Sequence, residues 1–104
     1  MTVKHTFYIG LNDKDAKIQL IDSLTAARLV QKAFAKAGTD CTIASGQGVY
    51  THADGTITTE NTLIVTVFEF GEAINIVDIC SDLKTMLNQE CIAVETTETN
   101  SALY

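Results

Sequence analysis

The first residues of the chain alternate between apolar and polar positions. Over residues 3–11, Phe7 and Ile9 fall on one face of an extended segment and Lys4 and Tyr8 fall on the other. A period of two residues predicts a half-buried β-strand, with its apolar face towards a core. The polar run NDKD at residues 12–15 ends this strand, and the pattern leaves the role of residues 12–22 open.

Two later segments repeat their apolar residues at helical spacing. The first covers residues 24–37, with an N-cap predicted at residues 22–23 and Gly38 as the residue that follows the helix. The second begins at a predicted cap, Asn75, and ends near Asn88. The predicted buried residues are Ala26, Val30, Ala33, Phe34 and Ala37 in the first helix and Ile76, Ile79, Cys80, Leu83, Met86 and Leu87 in the second.

Residues 41–53 and 56–70 are rich in Thr, Val, Ile, Phe and Tyr, and the dipeptide Asp54-Gly55 joins them. Asp-Gly between two such runs predicts a hairpin with a type I′ turn. The Gly-Gln-Gly at residues 46–48 leads into another strand and not into a helix N-terminus, which disfavours a phosphate loop. We predict a β-bulge there, because one extra residue brings Ile43 opposite Val67.

Residues 89–97 predict a last strand, so the element order is βαββαβ. This order predicts an α+β ferredoxin-like sandwich: a four-stranded antiparallel sheet with two helices on one face. Right-handed connections would place the first and third strands at the centre of the sheet and the other two at its edges. We expect residues 1–104 to form a single domain in which residues 97–104 are a loose tail.

Composition excludes several classes of function. The 104 residues carry a net charge of −6, and Arg28 is the only arginine. Such a chain is a poor binder of nucleic acid, which needs clustered Lys and Arg against its phosphates. Three cysteines without a CxxC pair predict buried, reduced thiols and a cytoplasmic location. The sequence shows no apolar run typical of a signal peptide or a membrane span.

No catalytic, cofactor-binding or metal-binding residues are predicted. His52 and Asp54 have a spacing that suits two metal ligands, but His5 is the only other histidine, and a histidine at a hairpin tip is usually solvated. Five glutamates are candidates for an acid–base pair, yet no spacing brings any two together. They are Glu60, Glu69, Glu72, Glu90 and Glu95.

A two-layer fold leaves one face of its sheet without helices, and Tyr8 and Tyr50 are expected on that face. A half-apolar, threonine-rich sheet face usually contacts a partner subunit, another protein or a small ligand. The predicted contact surface consists of Tyr8, Tyr50, His52, Asp54 and Glu60.

Four segments carry a resemblance to a known group: residues 7–11 (FYIGL), 40–50 (DCTIASGQGVY), 55–65 (GTITTENTLIV) and 88–94 (NQECIAV). In them the chain resembles small uncharacterised bacterial and phage proteins of mobile elements that have a YIGLNDKD-like first strand. These are similar to a broader ferredoxin-like domain family. The resemblance implies a fold and an accessory role, and it carries no catalytic residues over to this chain.

Three functions follow as expectations. The first is a protein-binding accessory protein without catalytic activity, which would meet a basic partner through its acidic surface. The resemblance to phage proteins implies that it is an anti-CRISPR-like inhibitor of a host defence nuclease or effector. The second is a small-molecule-binding or regulatory homodimer, joined through edge strands or the open sheet face. The third is a small enzyme, ranked last because no nucleophile, metal set or cofactor loop is visible. No membrane partner is expected.

Overall fold

The computed structural model describes residues 2–104 and contains four strands and two helices. The strands are β1 (Thr2–Gly10), β2 (Thr42–Thr51), β3 (Ile57–Glu69) and β4 (Ala93–Thr99), and the helices are α1 (Ser23–Lys36) and α2 (Ile76–Leu87). The sheet is antiparallel with the order β2-β3-β1-β4. The predicted βαββαβ ferredoxin-like fold is confirmed, with β1 and β3 at the centre and β2 and β4 at the edges.

The core lies between the two helices and one face of the sheet. Phe7 and Ile9 of β1 are fully buried there, as the alternation predicts, and the ring of Phe7 meets that of Phe34 in a T-shaped contact with centroids 5.1 Å apart. Burying each of these large side chains contributes about 2–3 kcal/mol. Most of the predicted helical stripes are buried or half-buried, but Ala37 is exposed, because α1 has already ended at Lys36.

The helix ends follow the sequence signals. Asp22 accepts a hydrogen bond from Thr25 N at 2.9 Å, and Asn75 accepts one from Asp78 N at 3.1 Å. These side chains satisfy amide groups that have no partner inside the helix. Gly38 follows α1 with a positive φ of 73°, while α2 ends on Asn88, which also adopts the left-handed conformation.

The predicted bulge in β2 is wrong. The ladder between β2 and β3 is regular through residues 46–48, and Ile43 lies opposite Val65. The turn explains the register: it is a three-residue loop, in which His52 N donates to Thr56 O and Gly55 takes a φ of 87°. Asp54 has no positive φ, so the predicted type I′ turn is also wrong. The longer loop, with its left-handed glycine, brings Ile43 opposite an apolar residue without the bulge that was predicted for this purpose.

The last strand is displaced towards the C-terminus. β4 pairs with β1 from Ala93 to Thr99, so residues 97–99 belong to the sheet and not to a tail. Beyond β4, the Thr2 hydroxyl donates a hydrogen bond to Ser101 O at 3.0 Å. Residues 89–92, predicted as strand, form the connection from α2 to β4.

The β2–β3 hairpin projects from the rest of the sheet. β1 pairs with β3 only from Thr62 onwards, so residues 57–61 pair with β2 alone. The molecule measures 47 × 26 × 22 Å, and its radius of gyration of 14.6 Å exceeds the roughly 13 Å expected for a compact chain of this length. Within residues 2–104, no helix is long and apolar enough to cross a bilayer.

Candidate functional site

An open groove of about 680 Å³ lies on the helix-free face of the sheet, where the projecting hairpin leaves β1. Its floor is formed by side chains of the three adjoining strands β1, β2 and β3. Four of the five predicted contact residues line it: Tyr8, Tyr50, His52 and Glu60. The segments that follow β1 and α2 form its wall.

Glu60 is one of the residues of this floor. It lies on β3, and its Oε2 accepts a hydrogen bond from Asn12 N at 3.0 Å. The carboxylate lies directly over Gly10 of β1: a Cβ at residue 10 would collide with Glu60 Oε1 and lie 2.7 Å from Oε2. Gly10 is therefore needed for close approach, because any side chain there would displace the carboxylate.

Tyr50 lies beside Glu60 on the groove floor. Partial burial, followed by the interaction of its hydroxyl with the nearby Glu60 carboxylate, raises the pKa of the Tyr50 phenol above its usual value. The Tyr50 side chain packs across Gly48, where a Cβ would lie 3.0 Å from the Tyr50 hydroxyl oxygen. The two glycines that flank the pair thus make room for it, and the phenol remains a donor at neutral pH.

His52 lines the groove, whereas Asp54 does not. His52 lies at the rim of the groove, where its Nε2 is 2.7 Å from Thr58 Oγ1. Asp54 is part of the turn and does not line the groove. Its carboxylate accepts hydrogen bonds from the Thr56 hydroxyl at 2.7 Å and from Thr56 N at 3.0 Å, which lower its pKa. No cluster of three or more potential metal ligands occurs within residues 2–104.

The segment between β1 and α1, whose role the sequence leaves open, forms part of the groove wall. It folds back on itself through a bridge between Asn12 and Gln19 and a hydrogen bond from Asp13 N to Ile18 O at 2.8 Å. Lys17 adopts a left-handed φ of 63° within it. Asp13, Lys14 and Lys17 all line the groove.

This segment is held against the end of α2. The Asn88 side-chain amide donates to Asp13 Oδ1 at 2.8 Å and to Asp15 Oδ2 at 3.0 Å, and Lys14 N donates to Asn88 O. The pKa of Asp13 is lowered, mainly by the hydrogen bond from the Ala16 amide and next by the one from the Asn88 side chain. The only sequence signal for this contact was the run NDKD, whose Asp and Asn favour tight turns. Nothing in the sequence indicated Asn88 as the partner.

The cysteines differ from one another. Cys41 and Cys80 are half-buried, and burial raises the pKa of both thiols. Cys91 is exposed and lines the groove beside Ala93. The prediction that all three thiols are buried is therefore wrong for Cys91, because it precedes β4 instead of lying within a strand.

His5 and Glu69 form a separate polar cluster on the helix-covered side of the sheet. His5 Nε2 lies 2.8 Å from Glu69 Oε1, and His5 Nδ1 lies 2.8 Å from Thr96 Oγ1. Glu69 also accepts a hydrogen bond from Ile74 N. This bond is the largest cause of a lowered Glu69 pKa, and the hydrogen bond with His5 is the second. This cluster connects β1, β3, β4 and the approach to α2, and it is not part of the groove.

No protein-family model matches the chain, and no curated protein matches its sequence. Solved structures of similar fold do exist. A phage SAM lyase in complex with S-methyl-5′-thioadenosine has 21% identity, covering 93% of this chain and 81% of that one at a TM-score of 0.63. The apo state of a phage SAM lyase matches at 22% identity over 91% of this chain and 78% of that one, with a TM-score of 0.59.

The periplasmic divalent cation tolerance protein CutA from Archaeoglobus fulgidus is also similar, with 12% identity over 99% of this chain and 88% of that one and a TM-score of 0.61. Identities this low show a shared fold alone. A fold carries many functions, so function has to be argued from the groove. The likeness to an enzyme gives no support to the prediction that this chain is not one.

Proposed function

We propose that the groove binds S-adenosylmethionine and cleaves it to S-methyl-5′-thioadenosine. The observation that carries the proposal is the Tyr50–Glu60 pair, held over Gly10 and Gly48 on the groove floor. The fold shared with a phage SAM lyase supports the choice of ligand. This replaces the non-enzymatic expectation as our leading hypothesis.

The chemistry of the floor suits a sulfonium nucleoside. Ion pairs within residues 2–104 form only between His5 and Glu69 and between Lys36 and Asp82, so the Glu60 charge is not neutralised by a cation. A carboxylate beside the aromatic rings of Tyr8 and Tyr50 favours a cation, and either ring offers a face on which adenine can stack. A volume of about 680 Å³ falls within the range of small-molecule sites.

The conversion needs no metal or redox partner to balance. The bond between the sulfonium sulfur and the Cγ carbon of the amino-acid chain breaks, and its electron pair converts the sulfonium to a neutral thioether. In one route the substrate's own carboxylate attacks Cγ and closes a lactone ring. In the other route Glu60 takes a proton from Cβ and passes it to water, and a double bond forms between Cβ and Cγ. Both routes release S-methyl-5′-thioadenosine. Proton NMR separates them, since only the second gives olefinic protons.

The direct test is incubation of the purified protein with S-adenosylmethionine, with S-methyl-5′-thioadenosine measured by liquid chromatography. We expect product from the wild type and about 100-fold slower formation by Glu60→Gln, which removes the charge but keeps the shape. Glu72→Gln is the matched control, because Glu72 is an exposed carboxylate outside the groove. Wild-type protein that binds S-adenosylmethionine without forming product would reduce the proposal to ligand binding.

A second proposal concerns self-association, which the projecting hairpin favours. Val49 and Ile57 lie near its tip and remain 60% and 64% exposed. A two-stranded hairpin is only marginally stable by itself, so exposed apolar residues along it favour packing against a second copy. Sedimentation of the wild type and of Val49→Thr/Ile57→Thr tests this: an oligomer that the double variant disrupts is expected, and a wild-type monomer contradicts it.

The expectation of a basic protein partner stays a proposal of lower rank. It rests on the acidic surface and the helix-free face, and it predicts a complex that weakens as the salt concentration rises. Affinity capture at two salt concentrations, followed by mass spectrometry, tests it. Binding that does not depend on salt would contradict the electrostatic basis of the proposal.

A further inference from the structure

We infer that Lys14 and Lys17 bind the carboxylate of the ligand's amino-acid tail, so that the groove prefers nucleosides with an anionic tail to those without one. This inference rests on the proposed function and concerns the same groove. It assigns a role to the segment between β1 and α1, for which neither the fold nor the Tyr50–Glu60 pair requires lysine.

Both lysines line the groove, and both are exposed. Neither ammonium group has a carboxylate within 4.0 Å among residues 2–104, since the ion pairs there involve only His5 with Glu69 and Lys36 with Asp82. The neighbouring Asp13 carboxylate accepts hydrogen bonds from Asn88 and from the backbone amides of residues 15 and 16, and the charge of Lys14 is the smallest of the causes that lower its pKa. Because neither ammonium group takes part in an ion pair within residues 2–104, both are available to an anionic group of a ligand.

The backbone that carries the lysines is held in place at several points. Lys17 N donates to Asp13 O at 2.9 Å, and Lys14 N donates to Asn88 O at 3.1 Å. The left-handed φ of Lys17 is unfavourable for a residue with a Cβ, so it persists only because these hydrogen bonds determine the segment's conformation. A backbone ordered before the ligand arrives reduces the entropy lost on binding.

The groove thus offers the Glu60 carboxylate on its floor and, on its wall, two ammonium groups beside the hydrogen-bonded Asp13. This arrangement is complementary to a molecule with a cationic centre and a separate carboxylate. It is less suited to a phosphate, because Glu60 and Glu90 line the same groove and would repel a group with two negative charges. An amino-acid tail is therefore the anionic group that fits best.

The test compares two ligands that differ in the tail. S-adenosylhomocysteine has the amino-acid carboxylate and is not a sulfonium, whereas S-methyl-5′-thioadenosine has no tail. Their dissociation constants are measured by calorimetry for the wild type, for Lys14→Gln/Lys17→Gln and for the control Lys32→Gln/Lys84→Gln on the two helices. Thermal unfolding of each variant confirms that it is folded.

We expect the wild type and the control to bind S-adenosylhomocysteine about tenfold more tightly than S-methyl-5′-thioadenosine, as a charge-assisted contact implies. The groove-lysine variant should lose this preference and keep its affinity for S-methyl-5′-thioadenosine. Equal affinities in the wild type, or a preference that survives in the groove-lysine variant, would overturn the inference and leave the proposed function intact. Wild-type protein that binds neither ligand would overturn both.

Discussion

The carboxylate of Glu60 occupies the space that a side chain at residue 10 would fill. Gly10 and Glu60 are fifty residues apart in the chain, and they come together because Gly10 pairs with Thr62, whose side chain shares the helix-free face with Glu60. Asn12 N then holds one carboxylate oxygen. The position of the acid on the groove floor thus depends on a residue without a side chain.

Gly10→Ala should therefore displace Glu60 while leaving the fold in place. We expect about a 100-fold loss in the rate of S-methyl-5′-thioadenosine formation, since a small displacement of a reacting group has effects of that size. Gly71→Ala is the control, because a Cβ at residue 71 has no atom within 4 Å and should change nothing. An active Gly10→Ala variant would show that the position of Glu60 does not matter.

Tyr50 should titrate at higher pH than an ordinary tyrosine. Its partial burial, followed by the nearby Glu60 carboxylate, disfavours the phenolate and raises the pKa of Tyr50 above its ordinary value of about 10. The measurement is the phenolate absorbance of the wild type minus that of Tyr50→Phe as the pH rises. A midpoint below about 10 in this difference would contradict the placement of the Tyr50 phenol beside the Glu60 carboxylate. Glu60→Gln should lower the midpoint, because it removes the negative charge beside the phenol.

The cluster of His5 and Glu69 should make the free energy of unfolding depend on pH in the acid range. The Ile74 amide and His5 lower the folded-state pKa of Glu69, so the folded protein binds this proton less readily than the unfolded chain does. The resulting stability is present above the unfolded-state pKa of about 4.5 and is lost as the pH falls through the lower folded-state value.

Urea unfolding at several pH values between 7 and 3 tests this dependence. Glu69→Gln should be less stable than the wild type at pH 7, and it should lose less stability on acidification. Glu72→Gln, which changes an exposed carboxylate nearby, should follow the wild type. Parallel pH profiles for the wild type and Glu69→Gln would rule out a contribution from Glu69.

The aromatic contact in the core should dominate the effect of single substitutions on stability. Phe34→Ala removes a fully buried ring from its contact with Phe7 and should lower the free energy of unfolding by about 3–5 kcal/mol. Val77→Ala removes an exposed side chain from α2 and should change it by less than about 0.5 kcal/mol. Chemical unfolding followed by circular dichroism measures both, and a loss below about 1 kcal/mol for Phe34→Ala would contradict this packing.

Periodicity and caps allowed the fold and part of the groove to be predicted. The alternation in β1 placed Phe7 in the core and Tyr8 on the open face, and the cap residues Asp22 and Asn75 marked the helix starts. Tyr50 and Glu60 were both predicted on the contact surface. That they form a pair was not predicted, because their contact depends on the register between two strands.

The sequence by itself determined the kind and order of the strands and helices, since periodicity and capping act over a few neighbouring residues, but not the bounds of β4. Only the tertiary structure decided the site. A two-residue turn at Asp54-Gly55 would have placed Tyr50 opposite Thr59 and turned Glu60 to the other face, because a slip of one residue inverts the faces of a strand. The three-residue loop places Tyr50 opposite Thr58, and Glu60 then shares the face of Tyr50 and lies over Gly10.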